Sequence, residues 1–141
     1  MGQGITTLAM YEYLKLNNEA REEIRKIDQY DMNIFRLRKE TNENELVSVL
    51  MVILAKRGAL SIEHLAPEAL MRFIVAIQGG YQDIPYHNKT HAADVCQTFN
   101  FFCTNTTLAA KCQMTELEIL TYCVAACCHD YQHPGVSNAF L

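Results

Sequence analysis

Four of the five histidines fall in two short runs, Tyr86-His87-Asn88-Lys89-Thr90-His91-Ala92-Ala93-Asp94-Val95 and His129-Asp130-Tyr131-Gln132-His133-Pro134-Gly135-Val136-Ser137-Asn138. Imidazole is the commonest protein metal ligand, and His129-Asp130 joins a nitrogen donor directly to an oxygen donor. A helix-sized apolar segment separates the runs, which therefore read as two halves of one buried metal site. His87 and His91 are four apart and on a helix share one face, with Asp94 near it as an acceptor able to orient an imidazole. In mid-helix, His129 and Asp130 would point about 100° apart. At a helix end relaxed by Pro134 and Gly135, both can reach one ion while the second carboxylate oxygen bridges to another. The remaining histidine, His64, lies in a polar connection and reads as incidental.

Imidazole nitrogen with carboxylate oxygen suits zinc, manganese or iron, and a carboxylate with waters suits magnesium or manganese. A bridged pair of such ions generates hydroxide near neutral pH and clamps a phosphoryl group for in-line displacement. A histidine outside the coordination shell can then protonate a leaving alkoxide. Taken alone, a histidine pair at this spacing more often caps a helix or faces solvent, and a His-Asp dipeptide carries little information. Both together, flanked by aromatic residues and bracketing an apolar helix, favour the metal site. A His and Asp cluster on apolar helices is costly to bury unless a metal or hydrogen bonds satisfy it.

The elements that must hold these residues are helical nearly throughout, and the 141 residues suffice for one all-α, compact helical bundle. A charged segment over Met10–Ile27 and a short stretch over Asp31–Lys39 come first. Asn42 offers an N-cap oxygen and Glu45 the matching acid for a helix to Lys56, closed by Gly58. Pro67 suits a first helical turn before Glu68–Gln78, and Gly79-Gly80 ends that helix. A helix over Asn88–Thr104 comes next, and Thr115 with Glu118 forms a capping box for the last, Glu116–Asp130. That last helix is apolar on most sides and is expected to be central.

Half the residues are hydrophobic and a fifth charged, with a net charge of −4, which argues against an electrostatic nucleic-acid binder. Charge does not exclude a phosphate substrate, because a metal supplies local positive field. The apolar window Leu46–Ala55 is about half a bilayer span, so it reads as a buried helix and no transmembrane segment is expected. The six cysteines, Cys96, Cys103, Cys112, Cys123, Cys127 and Cys128, include no C-x-x-C pair and read as small buried thiols rather than a zinc ribbon. No signal peptide is evident, so a disulfide framework is not expected and the reading is cytoplasmic. Met1-Gly2 fits a loose myristoylation pattern, although a solvated tail is the simpler reading. In a cytosolic protein the acceptor pattern Asn88-Lys89-Thr90 has no glycosylation meaning.

Over both runs the sequence resembles the catalytic domain of the class I cyclic nucleotide phosphodiesterases, within the HD-type metal-dependent phosphohydrolases. The pattern Y-H-N-x-x-H-A-x-D-V stands intact from Tyr86 to Val95, and H-D-x-x-H-P-G-x-x-N-x-F from His129 to Phe140. The resemblance covers Ile27 to the last residue, leaving 1–26 as a charged helical lead-in. It implies hydrolysis of cyclic AMP, cyclic GMP or both to the 5′-monophosphate, by a hydroxide bridging two metals. It further implies that His91, His129 and Asp130 bind the tighter ion, usually zinc, and that Asp130 bridges to a second, usually magnesium or manganese. His87 resembles the general acid for the departing O3′, and His133 the residue holding metal-bound water near the second ion. Tyr86 and Asn138 would line the nucleotide side, and Asp94 would support. The Tyr-His-Asn lead-in and the His-Pro-Gly-x-x-Asn continuation disfavour a different HD phosphohydrolase.

Family members continue well past the second motif, with a further aspartate for the zinc and a purine-reading glutamine. Residues 27–141 are thus expected to form the N-terminal half of such a domain, with apolar helix faces open for association. The alternative from another class is a non-catalytic metal- or partner-binding module.

Overall fold

A run of nine residues without a charge, Leu46–Leu54, determines the centre of the molecule. In the computed structural model, which describes residues 6–140, every side chain of that run is buried. The helix that carries it, α4 (Glu45–Lys56), comes after α1 (Thr7–Tyr13), α2 (Asn18–Ile24) and α3 (Ile34–Glu40). Beyond it lie α5 (Pro67–Gly80), α6 (Lys89–Asn105), the short α7 (Leu108–Lys111) and α8 (Glu116–Cys128). Single 3-10 turns occupy Ala59–Ser61 and Asn138–Phe140, and every regular element among the described residues is helical. A helix apolar all round must be surrounded. Accordingly α4 packs against α1, α5, α6 and α8, and α6 also lies along α8.

Local sequence explains most boundaries. Pro67 opens α5, and Gly58 takes φ +76 after α4, in the left-handed region where a side chain would be strained. Thr115 and Glu118 form the expected capping box. Asn33 caps α3 by accepting from the Arg36 amide at 3.0 Å. The buried amides of Gln97 and Asn100 on α6 donate to the Ile27 carbonyl at 3.1 and 2.8 Å, which ties the turn after α2 to the core. Met10, Leu16, Ala20 and Ile24 of the charged lead-in are buried in the same apolar cluster as α4.

Three expectations need correction. The stretch Met10–Ile27 is two helices, because Asn17 captures the Ala20 amide at 2.7 Å as a new N-cap and Lys15 turns to φ +52. No capping box on Asn42 and Glu45 opens α4. Asn42 itself is left-handed at φ +50, the Asn44 amide donates to the Thr41 and Asn42 carbonyls, and Glu45 turns into the core. Nor is α8 central. Glu118 and Thr121 interrupt its apolar surface, so it buries Cys123 and Cys127 and leaves Leu117 and Tyr122 more than half exposed. No helix among the described residues is long and apolar enough to cross a membrane. The myristoylation pattern at Gly2 lies outside the described residues.

Candidate metal centre

Asn88 sets the start of α6. Its Oδ1 accepts from the Thr90 and His91 amides at 3.0 and 3.2 Å, and its Nδ2 donates to the Ile84 carbonyl at 2.8 Å. His91 is therefore in the first turn of α6, whereas His87 precedes the cap. The expected shared helical face of His87 and His91 is not formed, since the cap interrupts it. The second run begins where α8 ends, and the thiol of Cys96 on α6 meets the Cys123 carbonyl of α8 at 3.8 Å. The start of one helix thus lies beside the end of the other, and the two runs meet.

A clamp from α5 holds the second run. The Tyr81 hydroxyl donates to the Cys127 carbonyl at 2.8 Å, and the Tyr81 and Tyr131 rings pack edge to face at 6.2 Å. Gly80 lies so close to the Tyr131 ring that a Cβ there would overlap it. Neither Gly80 nor Tyr81 was identified from sequence, where the Gly-Gly pair signals only a helix end.

Three donor atoms converge at the junction. His129 Nε2 is 3.0 Å from Asp130 Oδ2 and 3.3 Å from His91 Nε2, and His91 Nε2 is 3.4 Å from the same carboxylate oxygen. Donors about 2.1 Å from one cation lie roughly 3.0 Å apart in an octahedral shell and roughly 3.4 Å apart in a tetrahedral one. The triangle fits one face of either. His129 Nδ1 lies 2.7 Å from the Ala126 carbonyl, an acceptor only, so this nitrogen carries a proton, and in the neutral ring Nε2 then presents a lone pair. With both rings neutral, at most one proton, on His91 Nε2, is left among three atoms 3.0, 3.3 and 3.4 Å apart. A cation satisfies all three.

Burial, then the neighbouring His129, push the His91 pKa below its ordinary value, against a smaller opposing effect of Asp130. His91 is thereby held as the free base that a metal requires.

A second group, His87, Asp130 and His133, also offers three ligand atoms within reach of one ion, and it shares Asp130 with the first. The His87 ring stacks on His133 with centroids 3.9 Å apart. His133 Nδ1 accepts from the Gly135 amide at 3.0 Å, which leaves Nε2–H as the donor of a neutral ring. Gly135 takes φ +78, a conformation that suits glycine and turns the chain back to make this bond.

The other sequence candidates are spread around this centre. The Tyr86 ring, largely exposed, lies against His91 at 4.6 Å. With Ile34, Phe35, Pro85, Thr90 and Asp94 it borders a pocket of about 190 Å³ that His91 also lines. Asp94 is exposed beside His91, and Asn138 is exposed in the last 3-10 turn and belongs to neither donor group. Phe35, 71% exposed, joins the pocket although its spacing marked only a helix. A larger cavity of about 310 Å³ between α1, α4 and α5 is lined by no residue of either run.

Residues 86–141 match the 3′5′-cyclic nucleotide phosphodiesterase family. The chain is 31% identical over 121 residues to 3′,5′-cyclic-AMP phosphodiesterase 4C of Rattus norvegicus, covering 85% of this chain and 22% of that protein. It is 32% identical over 119 residues to the dual specificity calcium/calmodulin-dependent 3′,5′-cyclic nucleotide phosphodiesterase 1B of Bos taurus, covering 83% and 22%. The Mus musculus counterpart gives the same values. The chain thus spans about a fifth of the length of the curated relatives it matches. With both motifs, an all-helical fold and these relatives in agreement, the chain is similar over most of its length to part of the 3′,5′-cyclic nucleotide phosphodiesterases.

Proposed function

We propose that the two histidine runs form the hydrolytic centre of a 3′,5′-cyclic nucleotide phosphodiesterase that converts cyclic AMP, cyclic GMP or both to the 5′-monophosphate. The observation that carries this reading is the convergence of two donor groups on one shared carboxylate, Asp130. His91, His129 and Asp130 would hold zinc, and Asp130 with the His87 and His133 side would face magnesium or manganese. Bound there, the ions would supply positive charge to the phosphoryl oxygens and acidify water.

The chain's own residues do the rest. Hydrolysis adds the elements of water across the P–O3′ bond, with hydroxide to phosphorus and a proton to O3′. His87, stacked on His133 at the edge of the centre, is the proton donor to O3′. His133, with Nδ1 occupied by the Gly135 amide, keeps Nε2–H to hold a water near the second group. Tyr86 offers an aromatic wall beside His91, and Asn138 a polar contact on the nucleotide side.

Metal content and turnover measured together test the proposal. Asp130→Ala is expected to lose both ions by elemental analysis. His87→Ala is expected to keep zinc and lower cyclic nucleotide turnover at least a hundredfold. Unchanged metal content in Asp130→Ala would sink the shared-ligand assignment, and unchanged turnover in His87→Ala the acid. A second reading, a non-catalytic metal- or partner-binding module, is favoured by the exposed Leu117 and Tyr122 on α8. Stoichiometric metal with no hydrolysis of either nucleotide would select it.

A further inference from the structure

Glu45, the first residue of α4, is fully buried. A carboxylate in that setting is unfavourable unless it is paired. Its Oε1 accepts from the hydroxyl of Thr90 at 2.6 Å. Thr90 is itself buried in the first turn of α6, immediately before His91. From α3, Arg38 donates through Nη1 to the same hydroxyl at 3.4 Å, and its Nε is 4.0 Å from Glu45 Oε1. Glu43, in the loop between α3 and α4, accepts from Arg38 at 2.9 Å and from Lys89 at 3.2 Å. Three successive elements therefore grip Lys89 and Thr90, the two residues ahead of His91.

Two features separate this cluster from ordinary stabilising polarity. Glu45 Oε2 is the one buried side-chain oxygen or nitrogen among the described residues without a hydrogen-bond partner. A buried carboxylate with an orphan oxygen stabilises little, and well-packed apolar side chains do as well in such places. The second feature is the orientation of the histidines. The Ala126 carbonyl orients His129 through Nδ1, but no described residue bonds the second ring nitrogen of His91. The direction of His91 then comes from its backbone and from the rings of Tyr86, His87 and His129 packed around it.

We propose that Glu45 is a positioning residue for the metal centre: through the Thr90 hydroxyl it fixes the first turn of α6 and so aims His91 at His129 and Asp130. This rests on the reading of His91 as a metal ligand.

Cobalt(II) titration of the full 141-residue chain, monitored by its visible absorption, tests the proposal with thermal melting in parallel. Thr90→Val keeps the shape and removes the hydroxyl. It is expected to weaken cobalt binding about tenfold and to change the absorption band, as loss of a ligand-orienting partner does. Thr90→Ser, which restores the donor, should bind within about twofold of the parent. Glu45→Leu should match Thr90→Val, with the double variant no weaker, because the two side chains act as one unit. Ile53→Val, a core change remote from the cluster, lowers the melting temperature and should leave cobalt affinity unchanged.

Parent-like cobalt binding by Thr90→Val, alongside loss in His91→Ala, overturns the positioning role and leaves the ligand reading intact. Parent-like binding by His91→Ala overturns both. Equal weakening in Thr90→Val and Ile53→Val reduces the cluster to general stability and also overturns the proposal. If Thr90→Val does not fold, Thr90→Ala carries the same comparison.

Discussion

Asp130 and His91 show how far single side chains decide the chemistry. One carboxylate serves two donor groups, so its geometry couples them, whereas each histidine serves one. The fold also acts on the protonation of His91, since burial and then His129 depress its pKa below the ordinary value of 6.5. The unfolded chain therefore binds this proton more readily than the folded one. The stability contributed by a neutral His91 is complete above pH 6.5 and is lost as the pH falls through 6.5 towards the depressed folded value. In chelator-treated protein, thermal stability measured from about pH 8 to about pH 5 should fall below pH 6.5, and His91→Gln should flatten that fall. An identical pH profile in the variant would contradict the assignment.

Helix ends rather than helix interiors place the site. The N-terminal turn of α6 presents His91, and the C-terminal end of α8 presents His129 and Asp130. At the C-terminal end of α5, Tyr81 clamps the Cys127 carbonyl and the Tyr131 ring. The clamp depends on the missing side chain of Gly80, because the Tyr131 ring occupies the space a Cβ would take. Gly80→Ala should therefore displace Tyr131 and destabilise the protein by about 1–3 kcal/mol, the usual result of overpacking. Because Tyr131 adjoins Asp130, metal affinity should fall with it. Gly79→Ala serves as the control, since a Cβ there meets nothing within 4 Å. Equal melting temperatures and metal affinities for the two variants would rule out the clamp.

Across the molecule as a whole, the two most apolar helices have different fates. Side chains on α4 are enclosed on every side, and Leu50 is fully buried, while Leu117 on α8 is 59% exposed. Leu50→Ala should destabilise by about 2–5 kcal/mol, and Leu117→Ala by less than about 0.5 kcal/mol. Denaturant unfolding of the two variants measures both. Comparable losses would mean that α8 is buried in solution. The thiols divide likewise, against the expectation that all six are buried: Cys96, Cys123 and Cys127 are buried, Cys103 and Cys128 only partly, and Cys112 is exposed. Burial raises the pKa of Cys123 and Cys127 to about 12 and that of Cys96 well above its ordinary value, as befits inert core residues rather than nucleophiles or ligands.

Features that depend on neighbours along the chain were legible in the sequence. Helix periodicity, the caps at Thr115 and Pro67, the turn at Gly58 and the two motifs each rest on residues within one or two helical turns. Where local signals competed, the sequence pointed the wrong way. Asn17 outbid the continuing apolar stripe of Met10–Ile27, and Asn42 adopted a left-handed turn in place of a cap. Features that join residues distant in sequence were left to the packing of the whole chain. That packing selected α4 over α8 as the centre, laid the ring of His87, which the Asn88 cap keeps outside α6, on His133, and set Gly80 against Tyr131. It also brought Glu45 to Thr90 across forty-five positions. Spacing can nominate donors, but the closing of a triangle with sides of 3.0, 3.3 and 3.4 Å requires the packing of α6 on α8. No local pattern encodes that contact, because it arises from which apolar faces the whole chain can bury at once.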